Sequence, residues 1–207
     1  MKKLILAAAI AVVLLATQAF AGAFGNMMLG IKGGLNINGF YGDSDLDKET
    51  RLDFCAGGFV EIPISQMISF QPELLYTRKG AKVAEKDWSS MDTWKLQYIE
   101  IPMLFKAYLP VAPAVKPNLY LGPEVAFRVA GTWEWEEDGE TIKEDVEDVA
   151  DTDVGLIFGA GIGIPAMGHV VSLEARYDLG LSTLDEVEHE PWDIKNSVIS
   201  VLVGIAF

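Results

Sequence analysis

The last twelve residues, Asn196 to Phe207, constrain the fold most tightly. Read alternately, they give two unlike rows. Ile199, Val201, Val203, Ile205 and Phe207 are all large and apolar, whereas Asn196, Val198, Ser200, Leu202, Gly204 and Ala206 are smaller and more polar. A period of two is the signature of a strand, because successive side chains point to opposite faces. An apolar strand with a free edge at the chain end invites aggregation in water. The pattern is consistent with a strand that closes a barrel and turns its large row to lipid.

The other end of the chain agrees. Met1-Lys2-Lys3 precedes an apolar run from Leu4 to Ala16, and Ala19-Phe20-Ala21 has the small-x-small form of a cleavage site. This reads as a signal peptide over residues 1–21 with a mature start near Gly22. The apolar run is short for a spanning helix, and no later stretch approaches the roughly 20 apolar residues such a helix needs. A membrane form of this chain is therefore a barrel. The remaining residues, 22–207, suit one domain. The formal charge of −14 argues against nucleic acid as a partner. With one cysteine, Cys55, an internal disulfide is impossible, and a small buried side chain is the simple reading.

Seven further alternating stretches precede the terminal one. The apolar rows begin with Leu29, Ile31, Leu35 and Ile37, then Phe54 to Ile64, then Ile68, Phe70, Pro72, Leu74 and Tyr76. They continue with Ile99 to Ala107, Leu119 to Val129, Val154 to Ile164, and Val171 to Leu181. The register is irregular between Trp94 and Tyr98, which predicts a bulge. The connections near 65–67, 110–117 and 165–168 are short; those at 41–51, 80–93, 131–152 and 182–195 are longer and mostly acidic. The reading is an all-β fold: an eight-stranded antiparallel up-and-down transmembrane barrel, with long loops outside and short turns on the periplasmic rim.

Alternation alone does not say which row is wet. A soluble, lipocalin-like ligand-binding barrel would place the apolar row inside. The aromatics favour the inverted arrangement, because they gather at strand ends as two girdles: Phe54, Tyr76, Phe127 and Tyr177 towards the long loops, Phe70, Phe105 and Phe207 towards the turns. The lumen of a barrel this small is filled by side chains. Glu61, Glu73, Glu100, Glu124, Glu174 and Asp178 are expected there, facing Lys32, Lys106, Arg128 and Arg176. Buried charges need partners, so a salt-bridged plug with a surplus of carboxylates is expected.

Several stretches have a family look: Gly30-Ile31-Lys32-Gly33-Gly34-Leu35-Asn36, Gln71-Pro72-Glu73-Leu74-Leu75-Tyr76, Tyr98-Ile99-Glu100-Ile101-Pro102, Gly159-Ala160-Gly161 and Glu174-Ala175-Arg176-Tyr177-Asp178-Leu179-Gly180-Leu181. With the terminal strand, they resemble the outer-membrane protein β-barrel domain of the PorT-like family, common in Bacteroidota-type bacteria. The resemblance covers nearly all of the mature chain. It implies the barrel fold and an outer-membrane location. The namesake branch is linked to protein secretion across that membrane, which makes an accessory secretion role the alternative to a structural or binding role.

Sites of chemistry are sparse. The stretch from Gly131 to Asp153 holds eleven carboxylates and one cation, Lys143. It reads as a solvated loop, with divalent cations or another envelope protein as conceivable partners. Asp43, Asp45 and Asp47 have the first spacing of a calcium loop, but Lys48 stands where its Gly belongs and Phe54 where its Glu belongs. Trp133 and Trp135 alternate with Glu134 and Glu136, extending the fifth strand above the membrane as a hairpin. Trp88, Trp94 and Trp192 also lie in or beside outer loops, where tryptophan suits the lipid interface. His169 and His189 fall on opposite rims and share no site. No cofactor, metal or catalytic site is expected. The partner expected is outer-membrane lipid, around a monomer.

Overall fold

The computed structural model describes residues 27–42, 47–84, 91–111, 115–137, 140–145, 150–183 and 194–207. The signal-peptide stretch, Asp43, Asp45, Trp88, His189 and Trp192 lie outside these residues. In chain order the strands are β1 (Met28–Tyr41), β2 (Asp47–Glu49), β3 (Arg51–Pro63), β4 (Ile68–Lys79), β5 (Lys82–Ala84) and β6 (Met91–Tyr108). They continue with β7 (Lys116–Glu137), β8 (Glu140–Asp145), β9 (Thr152–Ala166), β10 (His169–Gly180) and β11 (Lys195–Ala206).

Eight of them form the wall. β1, β3, β4, β6, β7, β9, β10 and β11 pair antiparallel in that order. The terminal strand then closes on the first, from Gly30 opposite Ala206 to Tyr41 opposite Lys195. Closure removes the free edges that the apolar last strand would otherwise expose. It also satisfies the backbone between strands, which is what a span without helices requires.

The apolar row faces outward. Ile31 is 60% exposed and Val203 56%, while Lys32 and Leu202 beside them are buried. The soluble alternative demanded the reverse. The outward aromatics pair across strands: Phe54 with Tyr76, Phe158 with Tyr177, and Phe70 with Phe105 at the other rim. The terminal Phe207 meets His169 edge-on, with ring centroids 5.0 Å apart. The tight turn from β9 to β10 has Met167 and Gly168 both at positive φ, 53° and 83°. Two such residues match the twist of a two-residue hairpin.

Between β6 and β7 the register shifts at Gln97/Tyr98, within the stretch where the sequence alternation falters. Three connections read as loops carry strand instead. β2 pairs with β5, and β5 with β6, above the wall. β7 runs on past the membrane to Glu137 and folds back on β8, so the acidic stretch 131–152 is in part a hairpin. The alternation of Trp133 and Trp135 with Glu134 and Glu136 predicts this extension: Trp133 stacks on Trp94 and touches Trp135, while Glu134 points the other way to Lys95.

Candidate functional site

Lumen-facing positions recur every second residue, so the polar row of each strand converges on the barrel axis. All ten charged residues expected in the lumen are at most 9% exposed. Two layers emerge.

The inner layer, nearer the short turns, is balanced. Glu73 on β4 is its centre. It accepts from Lys32 Nζ on β1 at 2.8 Å, from Arg176 Nη1 on β10 at 3.0 Å and from Gln71 Nε2 at 2.6 Å. Lys32 also donates to Glu174 at 2.7 Å. Lys106 donates to Gln71 at 3.0 Å and lies 3.6 Å from Glu174 and 3.8 Å from Glu61. Glu61 accepts from Ser69 at 2.9 Å and from the Tyr108 hydroxyl. Three cations thus face three carboxylates. β1, β4 and β10 are not neighbours in the wall, so these bonds cross the lumen.

The outer layer is lopsided. Lys79 Nζ lies 2.9 Å from Glu124, 2.8 Å from Asp178 and 3.6 Å from Asp153. Glu100, Glu124 and Asp178 bring carboxylate oxygens within 4.8 Å of one another. Four buried carboxylates therefore gather around one ammonium; the Arg176 guanidinium of the inner layer also attracts Glu100, and Asn196 and Ser182 each donate to Asp153. The tight spot is built by glycine. A Cβ at Gly155 would stand 2.8 Å from Glu124 Oε1 and 3.0 Å from Asp178 Oδ1, and one at Gly159 would stand 2.7 Å from the Tyr120 ring.

Two members of the outer layer fall outside the charge network expected from sequence. Lys79 sits on the polar row of its strand but is the last residue before a polar connection. Asp153 was assigned to the acidic loop, yet it is fully buried. The signal for both was spacing: 73, 77 and 79 share one row, as do 153, 155 and 159. Arg128 is also placed differently from expectation. It stands at the outer lip and bonds Asp151 at 3.0 Å, an exposed residue of the acidic stretch. Its strand continues past the membrane there, so its partner comes from above.

The two rims differ as well. The periplasmic mouth holds a cavity of about 320 Å³ lined by Glu61, Ser69, Lys106, Tyr108, Asn118 and Glu174 among others. At the outer rim the hairpin is pinned by Glu134, which binds Lys95 and lies 3.1 Å from Lys143. The hydrogen bond from Lys95, with that from Lys143, lowers the Glu134 carboxyl below its usual range.

A closed barrel with an apolar outer face, aromatic girdles and a charged lumen defines a β-barrel of the outer membrane, crossing the bilayer with strands. The chain belongs to the outer membrane protein beta-barrel domain family, whose model matches residues 18–186. Among solved structures it is similar to the outer membrane protein OprG from Pseudomonas aeruginosa, at 11% identity and a TM-score of 0.55, covering 86% of this chain and 94% of that one. At that identity the likeness speaks to the fold. Neisserial surface protein A is similar at 14% identity and a TM-score of 0.47, over 86% of this chain and 97% of that one. Ail, the attachment invasion locus protein of Yersinia pestis, is similar at 15% identity and 0.43, over 87% and 98%. No curated protein matches the sequence.

Proposed function

We propose that the chain is a monomeric, non-conducting barrel, plugged by its own ion pairs, that serves a structural or binding role through its outer surfaces. The observation that carries this reading is Glu73, which ties Lys32 and Arg176 from distant strands across the axis. Pairs of this kind occupy the space a solute would need, and dismantling them leaves buried charge unpaired. The test is conductance in planar bilayers. The purified barrel should insert without resolved current steps. Stable steps from the unaltered protein would contradict the plug.

A second reading is an accessory role in protein secretion, in keeping with the resemblance to the PorT-like branch. What favours it is the periplasmic rim, where Met67 lines the mouth cavity and Met67, Val111 and Met167 are exposed, Met167 at 99%. Exposed apolar side chains on the turns of one rim suit a protein contact. A strain lacking the barrel should then fail to export secreted proteins; unchanged export would remove this role. Residues 1–21 are proposed to be cleaved on export, so the mature protein should begin at Gly22 on N-terminal sequencing. The acidic stretch 131–152 remains a candidate contact for divalent cations, to be judged by whether calcium alters its tryptophan emission.

A further inference from the structure

Four cations gather at one spot on the outer rim of an otherwise acidic chain. Arg51, Arg78 and Lys95 line a cavity of about 250 Å³ with Gln97, Thr132 and Glu134, and Lys143 reaches Glu134 from the hairpin. Among the described side chains here, four positive groups meet three negative ones, Asp53, Glu134 and, opposite Thr132, Asp145, a local balance of +1 in a chain of −14. Three of the cations are already held. Arg51 donates to Asp53 at 2.8 Å and to the Trp94 carbonyl at 3.0 Å, and Lys95 and Lys143 share Glu134. Arg78 is different. Its Nε makes a long 3.4 Å bond to the Tyr76 hydroxyl and its guanidinium lies 5.2 Å from the Phe54 ring centre; Asp53 attracts it but is bonded to Arg51, and among the described residues no carboxylate lies within 4 Å of Arg78.

The level of this guanidinium in the wall says what can reach it. Arg78 is opposite Gln97 in the β4–β6 register, and Tyr76, two residues below on the same outward row, is opposite Ile99. Two residues of strand span about 7 Å. The row below is apolar: Phe54, Tyr76, Ile99 and Phe127 belong to the outer girdle and its neighbours. An anion seated at Arg78 is thus held at the height of the lipid headgroups, with acyl chains running down an apolar wall. A guanidinium with free terminal nitrogens favours a phosphate, which it grips bidentately. Lys95 and Lys143 add positive charge without blocking it.

We propose that Arg78, supported by Lys95 and Lys143, binds the phosphate of an outer-leaflet lipid headgroup. This assignment is independent of whether the lumen conducts. The test uses the full mature barrel in detergent, incubated with diphosphorylated lipid A, its dephosphorylated form or phosphatidylglycerol, and read by native mass spectrometry. Phosphorylated lipid should be retained, and Arg78→Gln combined with Lys95→Gln should weaken retention roughly tenfold, the scale of losing charge-assisted contacts. Lys116→Gln, which removes a charge from the opposite rim, should leave retention unchanged. Preference for lipid A over phosphatidylglycerol would identify a saccharolipid, and the reverse a glycerophospholipid. A cold-versus-boiled gel shift verifies that each variant is folded. Equal retention of phosphorylated and dephosphorylated lipid A, or equal retention by the folded double variant, would overturn the proposal. So would full displacement of the lipid by excess inorganic phosphate, which would assign the site to a soluble anion.

Discussion

The two layers of the lumen are made of the same residue types and follow opposite rules. In the inner layer Lys32, Lys106 and Arg176 face Glu61, Glu73 and Glu174, and each cation lies within 4 Å of at least one carboxylate. In the outer layer Lys79 alone serves Glu124, Asp153 and Asp178, with Glu100 beside them. Where charges balance, removing any one leaves a net buried charge of the opposite sign. Where carboxylates outnumber cations, removing a carboxylate relieves repulsion, and only the cation is indispensable. The same chemical change is therefore expected to have opposite consequences a few residues apart.

The largest effect is expected at Lys79. Lys79→Met leaves Glu124, Asp153 and Asp178 without their cation, and breaking such a contact costs about 3–5 kcal/mol. The variant should fail to show the folded, fast-migrating band on an unboiled gel, and normal migration would break the contrast between the layers. Arg176→Ala should come next. It frees one oxygen of Glu73 but leaves Lys32 in place, so a lower unfolding temperature of the folded band is expected rather than its loss. Gly155→Ala sharpens the picture sterically. The new methyl would press on Glu124 and Asp178, and overpacking of this kind costs about 1–3 kcal/mol.

The smallest effect lies outside the membrane. The folded Glu134 carboxyl is lowered by its bond to Lys95, so its contribution to hairpin order is present above the unfolded carboxylate pKa of about 4.3 and fades as pH falls through the folded value. Its lysine partners are solvent-accessible, so the pairs are screened and the effect is modest. Tryptophan emission from the Trp94–Trp133–Trp135 stack should change on acidification through that range, and Glu134→Gln should abolish the change.

Much of this was legible in the sequence because a barrel wall repeats one rule. Alternation placed Ile31 outside and Lys32 inside without reference to any partner strand, and the terminal aromatic strand announced closure. The bulge near Tyr98 was visible as a fault in that alternation. The partners were not legible. Nothing local links Lys32 to Glu73 and Glu174, which are 41 and 142 residues away; the pairing follows from stagger around the barrel. Composition also misled at the rims. Asp153 looked like one more acid in a solvated loop, whereas the hairpin of β7 and β8 was legible despite its charge, because Trp133 and Trp135 kept the strand period.

The central claim is the asymmetry between the layers, and one matched pair of variants tests it most directly. Glu73→Gln and Glu124→Gln make the same change on lumen-facing carboxylates that are both buried. Urea unfolding of the two barrels in lipid vesicles should show Glu73→Gln destabilised by about 3 kcal/mol or more, the scale of a broken buried ion pair, and Glu124→Gln, which leaves Lys79 with Asp153 and Asp178, as stable as the parent or more so. Equal losses for the two would contradict the account.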